Sequence, residues 1–239
     1  MTALVVAIDG PSGTGKSTIS RRIAAEFGLA YLDTGAMYRA AAWWCVREGI
    51  DLADTAAVAA QVRELPLQIG TDPREPSFAV GGEDVSVVIR STEISTMVSA
   101  VATNLDVRAQ LQDRQRAAIA AEQRPDGFSG GRGIVAEGRD ITTVVAPDAQ
   151  VRILLLADEA ARLARRAKEL HGTADSAALE ATRDQVVRRD AEDSTVSNFT
   201  TAADGVLTVD TSTMTLEESV DTVRGIVTRA LATIEEEAR

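Results

Sequence analysis

The feature that most constrains the fold is the segment GPSGTGKS at residues 10–17, which matches the pattern G-x4-G-K-[ST] in full. It follows a short β-branched run at residues 3–9 and leads into a run with helical spacing at residues 16–27. Glycines allow a backbone to wrap closely around phosphate oxygens, with amide N–H groups pointing inward at a helix N-terminus. This order of strand, turn and helix predicts a phosphate-binding loop at the end of a buried strand.

Two side chains in this loop have predicted roles. Lys16 would reach the outer phosphates of a nucleoside triphosphate, and the Ser17 hydroxyl would be a ligand of Mg²⁺. A glycine-rich turn that matches by chance is the alternative, which the flanking strand and helix disfavour. GTPases need an N-K-x-D sequence to read guanine, and the chain has none. We expect ATP to contact Gly10, Pro11, Ser12, Gly13, Thr14, Gly15, Lys16, Ser17 and Thr18.

The rest of the chain alternates short apolar runs with helical patterns, which is typical of a parallel sheet with helices on both faces. Three prolines, the pair Gly81-Gly82 and short alternating segments between residues 66 and 90 predict a small antiparallel sheet. The stretch 124–133 has four glycines and no hydrophobic period, which predicts a mobile loop. We predict about five core strands, the later ones at 29–32, 134–137, 151–157 and 206–210, and a terminal helix at 215–238.

Composition excludes several classes of protein. The formal charge of −11 argues against a protein that coats nucleic acid, because that role needs a net basic face. The single cysteine, Cys45, excludes a disulfide framework and a cysteine-rich metal site. The first residues lack the basic lead of a signal peptide, and no apolar run approaches the roughly 20 residues that cross a bilayer. We therefore expect a cytoplasmic monomer that acts on small molecules, without a nucleic-acid or membrane partner.

Arginines beside predicted strand ends indicate an anionic acceptor. Arg39 closes the sequence DTGAMYR at residues 33–39, which we interpret as a binding loop, and Arg139 lies in GRD at residues 138–140. Since parallel sheets bind ligands at the carboxyl ends of their strands, both arginines should share an edge with the phosphate loop. A phosphoryl donor and a phosphate acceptor are both anions, so fixed cations are needed to bring them into line. The planar guanidinium group of arginine can bind a phosphate through two hydrogen bonds. A compact kinase for a small metabolite fits this pattern best.

Taken together, the motifs resemble those of bacterial cytidylate kinases. The chain carries GPSGTGKST, DTGAMYR, GGEDVSVVIRSTEIS, VR at 107–108, EGRDITTVVAPDA and RRDAEDS in that order, and the resemblance covers essentially its whole length. The resemblance implies an α/β, three-layer P-loop fold with a central parallel sheet, an inserted NMP-binding subdomain with a small antiparallel sheet, and a helical lid. It places a single domain's core at 1–59, 106–157 and 201–239, the insertion at about 60–105 and the lid at about 158–200.

The resemblance also implies the reaction and its residues. ATP would phosphorylate CMP or dCMP with Mg²⁺ as cofactor, and Lys16, Arg139 and Arg189 would be the catalytic side chains. Asp193 with Arg189 would meet the ribose. Asp33 would hold a magnesium-bound water or, equally well, cap the next helix. The residues implied to bind CMP are Thr34, Tyr38, Arg39, Ser99, Arg108, Arg139, Asp140, Arg189 and Asp193.

The chemistry of cytosine agrees with the residue types implied for the base. By resemblance, Arg39 and Arg139 bind the phosphate of CMP, while Ser99, Arg108 and Asp140 read the base. Cytosine offers an amino donor at N4 and acceptors at N3 and O2. A carboxylate can accept from N4, while arginine and serine can donate to N3 and O2. Uracil presents N3–H and O4 instead, so some groups of the pocket would be left unpaired or opposed. Such mismatches let a site discriminate against uracil.

Two departures from the family pattern are visible. After Asp193 the family usually has a further arginine and then a Pro-Leu pair, whereas this chain reads STVSNFTTAADG with Asn198-Phe199 at the pair. The lid would then offer one charge less to the phosphates unless Arg188 or Arg165 substitutes, so we expect ordinary substrate binding and reduced turnover. The glycine-rich loop at 126–133 also looks longer than is typical.

Two other hypotheses stay open at the level of the sequence. The chain could be a kinase for UMP, AMP or a small metabolite such as shikimate. It could instead be a non-catalytic nucleotide-binding regulator, with the altered lid as its signature. The retained Lys16, Arg39, Arg139 and Asp140 argue against a regulator.

Overall fold

The computed structural model describes residues 3–237, and the predicted end of the last helix at residue 238 lies outside them. The strands are β1 (Leu4–Asp9), β2 (Ala30–Asp33), β3 (Leu67–Gly70), β4 (Ser77–Val80), β5 (Glu83–Asp84), β6 (Gly133–Gly138), β7 (Val151–Leu156) and β8 (Leu207–Asp210). The helices are α1 (Lys16–Phe27), α2 (Thr34–Arg47), α3 (Thr55–Arg63), α4 (Thr92–Ala102), α5 (Leu105–Ala121), α6 (Glu159–His171), α7 (Ser176–Ser194) and α8 (Leu216–Glu237). None of these helices is long and apolar enough to span a membrane.

A five-stranded sheet with the order β2-β6-β1-β7-β8 forms the centre of the protein. All its neighbouring strands are parallel, and β1 lies in the middle with β6 and β7 on either side. The predicted fold class is therefore confirmed. Because the strands are parallel, the segments that follow β1, β2 and β6 all leave the sheet at the same edge.

The residues of β1 explain the three layers. Successive side chains of a strand point to opposite faces of the sheet. Val5 and Ala7 belong to one apolar cluster, which packs under α2, α4 and α5. Val6 and Ile8 belong to a second cluster on the other face, which packs under α1 and α8. Both faces are thus covered, as is usual for parallel sheets.

The predicted antiparallel sheet is also confirmed. It has the order β3-β4-β5, with Leu67 opposite Val80 in the first pair of strands. Gly81 and Gly82 form the turn at positive φ values of 60° and 84°, which side chains with a Cβ rarely adopt. Val80 and Phe78 are buried in the same cluster as α2, so the small sheet is fixed against the core.

The segment DTGAMYR is not the loop that the sequence suggested. Strand β2 ends at Asp33 and helix α2 begins at Thr34, so residues 34–39 are its first turns. The Asp33 carboxylate accepts a hydrogen bond from the Ala36 N–H at 2.8 Å and caps this helix. The prediction of a loop is wrong because a capping aspartate allows a strand to pass directly into a helix. One of the two roles considered for Asp33, that of helix cap, is confirmed.

The glycine-rich stretch 124–133 lies where β6 begins, at the opposite edge of the sheet from the phosphate loop. Residues 124–132 form a loop, as predicted, and the loop is held by the buried Glu122. The Glu122 carboxylate accepts from the backbone N–H of Ser129 at 2.8 Å and from the Thr71 hydroxyl at 2.9 Å. The Ser129 hydroxyl is itself buried and accepts from the Gly133 N–H. This stretch therefore supports the start of β6 and is remote from the site at the other edge.

Candidate active site

A cavity of about 640 Å³ opens at the edge of the sheet where β1, β2 and β6 end. Its walls come from the phosphate loop, the first turns of α2, the segment after β6, and helices α6 and α7. Most of the residues predicted for substrate binding line it together: Ser12, Gly13, Thr14, Gly15, Lys16, Ser17, Thr18, Thr34, Tyr38, Arg39, Arg108, Arg139, Asp140, Arg189 and Asp193. Asp33 lines it as well.

The phosphate loop has the backbone that its glycines predict. Gly13 and Gly15 have φ values of 82° and 91°, and α1 begins directly after them at Lys16. A Cβ on Gly13 would lie 2.6 Å from the carbonyl oxygen of Arg162 in α6, and one on Gly10 would collide with the carbonyl of Leu155 in β7. The loop therefore passes between neighbouring backbones that leave no space for side chains.

Lys16 is directed back onto this loop. Its Nζ donates to the Pro11 carbonyl oxygen at 2.9 Å. Burial lowers the pKa of Lys16 to about 8, and the nearby carboxylate of Glu137 opposes that shift most strongly. Since the Nζ donates to one carbonyl only among the hydrogen bonds described, this ammonium group would gain from a phosphate oxygen placed in the loop.

Three arginines meet on the acceptor side of the cavity. The Nε–H donors of Arg39, Arg139 and Arg189 are all buried and have no acceptor among the residues described. Burial, followed by repulsion from Arg139 and Arg39, lowers the pKa of Arg189 to about 9. Unpaired buried donors and mutually repelling cations are costly unless an anion is bound between them. The cluster therefore has the chemistry of a phosphate site.

Asp190 connects helix α7 to the phosphate loop. Its carboxylate accepts from Arg139 Nη2 at 2.9 Å and from the Ser12 N–H at 3.3 Å, and it pairs with Arg162. Arg162 also donates to the Ser12 carbonyl oxygen at 3.1 Å. One carboxylate thus joins groups from α6, α7, the phosphate loop and the segment after β6.

A second carboxylate of α7, Asp193, sits within the arginine cluster. It pairs with Arg139 and lies 3.6 Å from Arg189 Nε. The ring of Phe199, which is fully buried, lies under the guanidinium of Arg139 at 4.9 Å from ring centroid to Cζ. The departure from the family pattern at Asn198-Phe199 therefore places a cation–π contact beneath a predicted catalytic arginine.

A second polar group lies deeper in the cavity, where Tyr38, Arg108 and Asp140 converge. Arg108 donates to Asp140 Oδ2 and, through Nη1, to the Ala102 carbonyl oxygen at 3.0 Å. The Tyr38 ring lies 5.8 Å from the Arg108 guanidinium. All three side chains are buried. A ligand in this region would meet a fixed carboxylate and a fixed cation.

The structure does not bring every predicted residue to the cavity wall. Ser99 is buried in α4 but does not line the cavity, whereas Ser95, one turn earlier on the same helix, does. Gly10 and Pro11 also lie behind the wall, where they shape the phosphate loop. Arg188 is exposed and lies 4.0 Å from Glu192, so it does not replace the missing lid arginine in this conformation.

Other residues of the wall were not predicted from the sequence. Arg90 donates to Asp33 Oδ2 at 3.2 Å, next to Arg39 at 3.1 Å. Arg165 is the exception, because the sequence offered it as a substitute for the missing arginine; it lines the cavity but donates to the Thr211 hydroxyl at 3.0 Å. Arg166, Glu137 and Glu169 line it as well. Arg90 and Glu137 belong to the quoted motifs GGEDVSVVIRS and EGRD, which is the one sequence signal that could have marked them.

Glu137 supplies a buried carboxylate beside the phosphate loop. It accepts from the Tyr31 hydroxyl at 2.6 Å and, like Ser17, lines the cavity. Burial and then the charge of Asp33 raise the pKa of Glu137, while Lys16 lowers it. The Asp33 oxygens, in contrast, are taken up by Ala36, Arg39 and Arg90.

These groups fit a hydrated Mg²⁺ carried by a nucleotide. Within residues 3–237, no three His, Cys, Asp or Glu side chains are grouped so that they could hold a metal by themselves. Mg²⁺ in kinases keeps several waters and takes its other ligands from phosphates and one or two protein groups. The Ser17 hydroxyl and the Glu137 carboxylate meet that smaller requirement.

Comparison with known proteins agrees with this geometry. The family model "Cytidylate kinase" matches residues 6–229. A protein named cytidylate kinase from Nocardia farcinica is 48% identical over 236 residues, which cover 97% of each chain. Proteins of the same name from Cutibacterium acnes and Streptomyces avermitilis are 47% and 44% identical, over 94% of this chain in both cases and over 96% and 93% of their own. The resemblance that the motifs indicated is confirmed.

Proposed function

Because the chain belongs to the cytidylate kinase family, we propose that it transfers the γ-phosphoryl group of ATP to CMP or dCMP. The products are ADP and CDP or dCDP, and the reaction belongs to pyrimidine nucleotide metabolism. ATP-dependent phosphorylation of a nucleoside monophosphate follows from the family itself. The choice of residues for each step comes from the site.

The observation that carries the proposal is the set of three buried and unpaired guanidinium Nε–H groups beside the phosphate loop. A monophosphate acceptor supplies an anion that can satisfy these donors at the place where the γ-phosphoryl group arrives. A kinase for an uncharged alcohol would not need this concentration of buried positive charge. The arginines therefore support a phosphate monoester as the acceptor.

The donor side would hold ATP through residues 10–18. The backbone N–H groups of the loop would surround the β- and γ-phosphates, and Lys16 would turn from the Pro11 carbonyl to a phosphate oxygen. Mg²⁺ bound with ATP would neutralise charge on the β- and γ-phosphates. Ser17 would hold it, with Glu137 as the carboxylate beside the phosphate loop and Asp33 as a second contact through water.

The acceptor side would align CMP with the γ-phosphoryl group. A phosphate oxygen of CMP attacks the γ-phosphorus, the bond from that phosphorus to the β–γ bridging oxygen breaks, and ADP leaves with the electron pair of that bond. Lys16, Arg139 and Arg189 would stabilise the dispersed negative charge as this happens. Arg39 would anchor the phosphate of CMP. The remaining proposed contacts to CMP are Thr34, Tyr38, Ser99, Arg108, Asp140 and Asp193.

We also propose the division of the chain that the family suggests. The core would comprise 1–59, 106–157 and 201–239, with an NMP-binding insertion at about 60–105 and a lid at about 158–200. The lid would close on ATP, since α7 already contacts the phosphate loop through Asp190. One chain supplies all the groups named for both substrates, so a monomer is sufficient for activity.

An acceptor panel in a coupled ADP-release assay tests this function. With ATP and Mg²⁺, we expect CMP and dCMP to give a higher kcat/KM than UMP, AMP or shikimate. A higher value for UMP, AMP or shikimate would contradict the proposal. ATP binding without any CDP formed would favour a regulator in place of an enzyme.

A further inference from the structure

We propose that Gln112 is a positioning residue that sets the enzyme's preference for cytosine. It would act through Asp140, by fixing which oxygen of that carboxylate is presented to the base. This inference rests on the proposed function, in which Asp140 accepts from the exocyclic amino group of CMP. The contacts of helix α5 with Asp140 support this role.

The first step is the geometry around Asp140. Gln112 Nε2 donates to Asp140 Oδ2 at 2.7 Å, and Arg108 Nη2 donates to the same oxygen. Arg108 and Gln112 are four residues apart on α5, so they lie on one face of the helix. The remaining guanidinium contact of Arg108 goes to the Ala102 carbonyl oxygen. The Arg108–Asp140 pair is therefore single-pronged.

The second step concerns the Asp140 oxygen that stays available to a ligand. Both donors of α5 converge on Oδ2, and Asp140 Oδ1 receives no donor among the hydrogen bonds that the structure describes. Asp140 lines the cavity, and Oδ1 is not one of the enclosed atoms without a partner, so it is open to the cavity. An amino group can donate to this oxygen, whereas the carbonyl oxygen at the same place in uracil would be repelled by it.

The third step is the effect of losing Gln112. The terminal torsion of an aspartate is broad, so a carboxylate held by one donor can turn. Without Gln112, Asp140 can rotate toward a two-pronged pair with the guanidinium of Arg108, the arrangement that arginine and carboxylate prefer. That pairing would withdraw Oδ1 from the ligand. Gln112 is half-buried and does not line the cavity, so it has no route to the base except through Asp140.

The test compares Gln112→Leu with the matched variant Gln110→Leu. Gln110 lies two residues earlier on α5 and donates its amide to the Ala59 carbonyl oxygen at 3.1 Å, away from Asp140. Both variants lose one glutamine hydrogen bond from the same helix. Steady-state kinetics with CMP and with UMP, at saturating ATP, give KM and kcat for each base. The KM for ATP at saturating CMP is measured in parallel.

For Gln112→Leu we expect the KM for CMP to rise about tenfold, at the low end of what a hydrogen bond to a charged group is worth. The kcat with CMP and the KM for ATP should change less than about twofold, and the ratio of kcat/KM for CMP over UMP should fall about tenfold. Gln112→Glu keeps the shape but faces Asp140 with a like charge, so its ratio should fall further. Gln110→Leu should keep the ratio of the original protein.

The outcomes separate this inference from the function beneath it. If the original protein prefers CMP and both Gln112 variants keep its CMP-to-UMP ratio within about twofold, Gln112 does not set specificity and the proposed function still stands. If Gln110→Leu lowers the ratio equally, the effect belongs to the stability of α5 and the inference is wrong. If the original protein shows no preference for CMP, the proposed function fails and this inference fails with it.

Discussion

Replacing Arg39 by alanine should damage the acceptor side of the site and leave the donor side nearly intact. Arg39 is one of the three arginines of the cluster and lies in the first turns of α2, which follows strand β2 directly. Its side chain is 12% exposed, so solvent screens its charge only weakly. Its Nε–H has no acceptor until a ligand arrives. The substitution therefore removes a donor for the bound acceptor as well as the ion pair with Asp33.

The expected size follows from the contacts. A hydrogen bond to a charged partner contributes about 1.5–3 kcal/mol, which corresponds to a factor of about 10–150 in affinity. Folding should suffer less, because Asp33 keeps its contacts with Arg90 and with the Ala36 N–H after Arg39 is removed. The KM for CMP should thus rise about 10- to 100-fold. ATP affinity should change less than about threefold, since Arg39 makes no contact with the phosphate loop among the hydrogen bonds described.

The assay is ADP release with CMP varied at saturating ATP, together with ATP binding measured by calorimetry without CMP. Arg39→Lys keeps the charge but loses the planar fork, so it should fall between the original protein and Arg39→Ala. Arg22→Ala is the matched control, because it removes an exposed arginine that pairs with Glu217 on the other face of the sheet. Losses of equal size for CMP and ATP in Arg39→Ala would refute the placement of Arg39 at the acceptor phosphate.

Three further predictions concern the donor side and the lid. Burial lowers the pKa of Lys16 to about 8, so its ammonium group loses its proton in the free enzyme as the pH rises through that value. The kcat/KM for ATP should therefore fall above about pH 8, and a flat profile up to pH 9.5 would contradict this. Gly10→Ala should lower ATP affinity at least tenfold, because its Cβ would collide with the Leu155 carbonyl; unchanged ATP calorimetry would show that the loop can shift. Val196→Arg, three residues beyond Asp193, should raise kcat several-fold with little change in the KM for CMP. A kcat at or below that of the original protein would mean that the missing lid charge does not limit turnover.

Much of the fold could be predicted from the sequence because its signals are local. The alternation in β1 and the glycines after it specify a buried strand and a phosphate loop within about 15 residues. The pair Gly81-Gly82 identifies the turn of the small sheet in the same way. The segment DTGAMYR was misjudged because Thr34, Gly35 and Tyr38 suggested a binding loop, while the cap formed by Asp33 allows the same residues to begin a helix.

The candidate site could be predicted only in part, because its pairings join residues that are far apart in the chain. The rule that ligands bind at the carboxyl ends of parallel strands brought Arg39 and Arg139 to one edge, and the structure places both there. The same rule does not say which carboxylate meets which cation. Gln112 and Asp140 are separated by 28 residues, and nothing in the spacing of an amphipathic helix distinguishes Gln112 from its neighbours.

Asp190 is another residue whose partners lie far away in the chain. The sequence motif RRDAEDS marked its neighbours Arg189 and Asp193, but Asp190 is the residue that reaches the Ser12 N–H, 178 residues away. Its carboxylate accepts from the Ser12 N–H of the phosphate loop and from Arg139, and it pairs with Arg162. Each of these groups favours an anion. An arriving phosphate must compete with that carboxylate for the same donors, and like charges repel. Bound ATP would therefore replace the Asp190 carboxylate at the Ser12 N–H, so the contact between α7 and the phosphate loop would change when nucleotide binds.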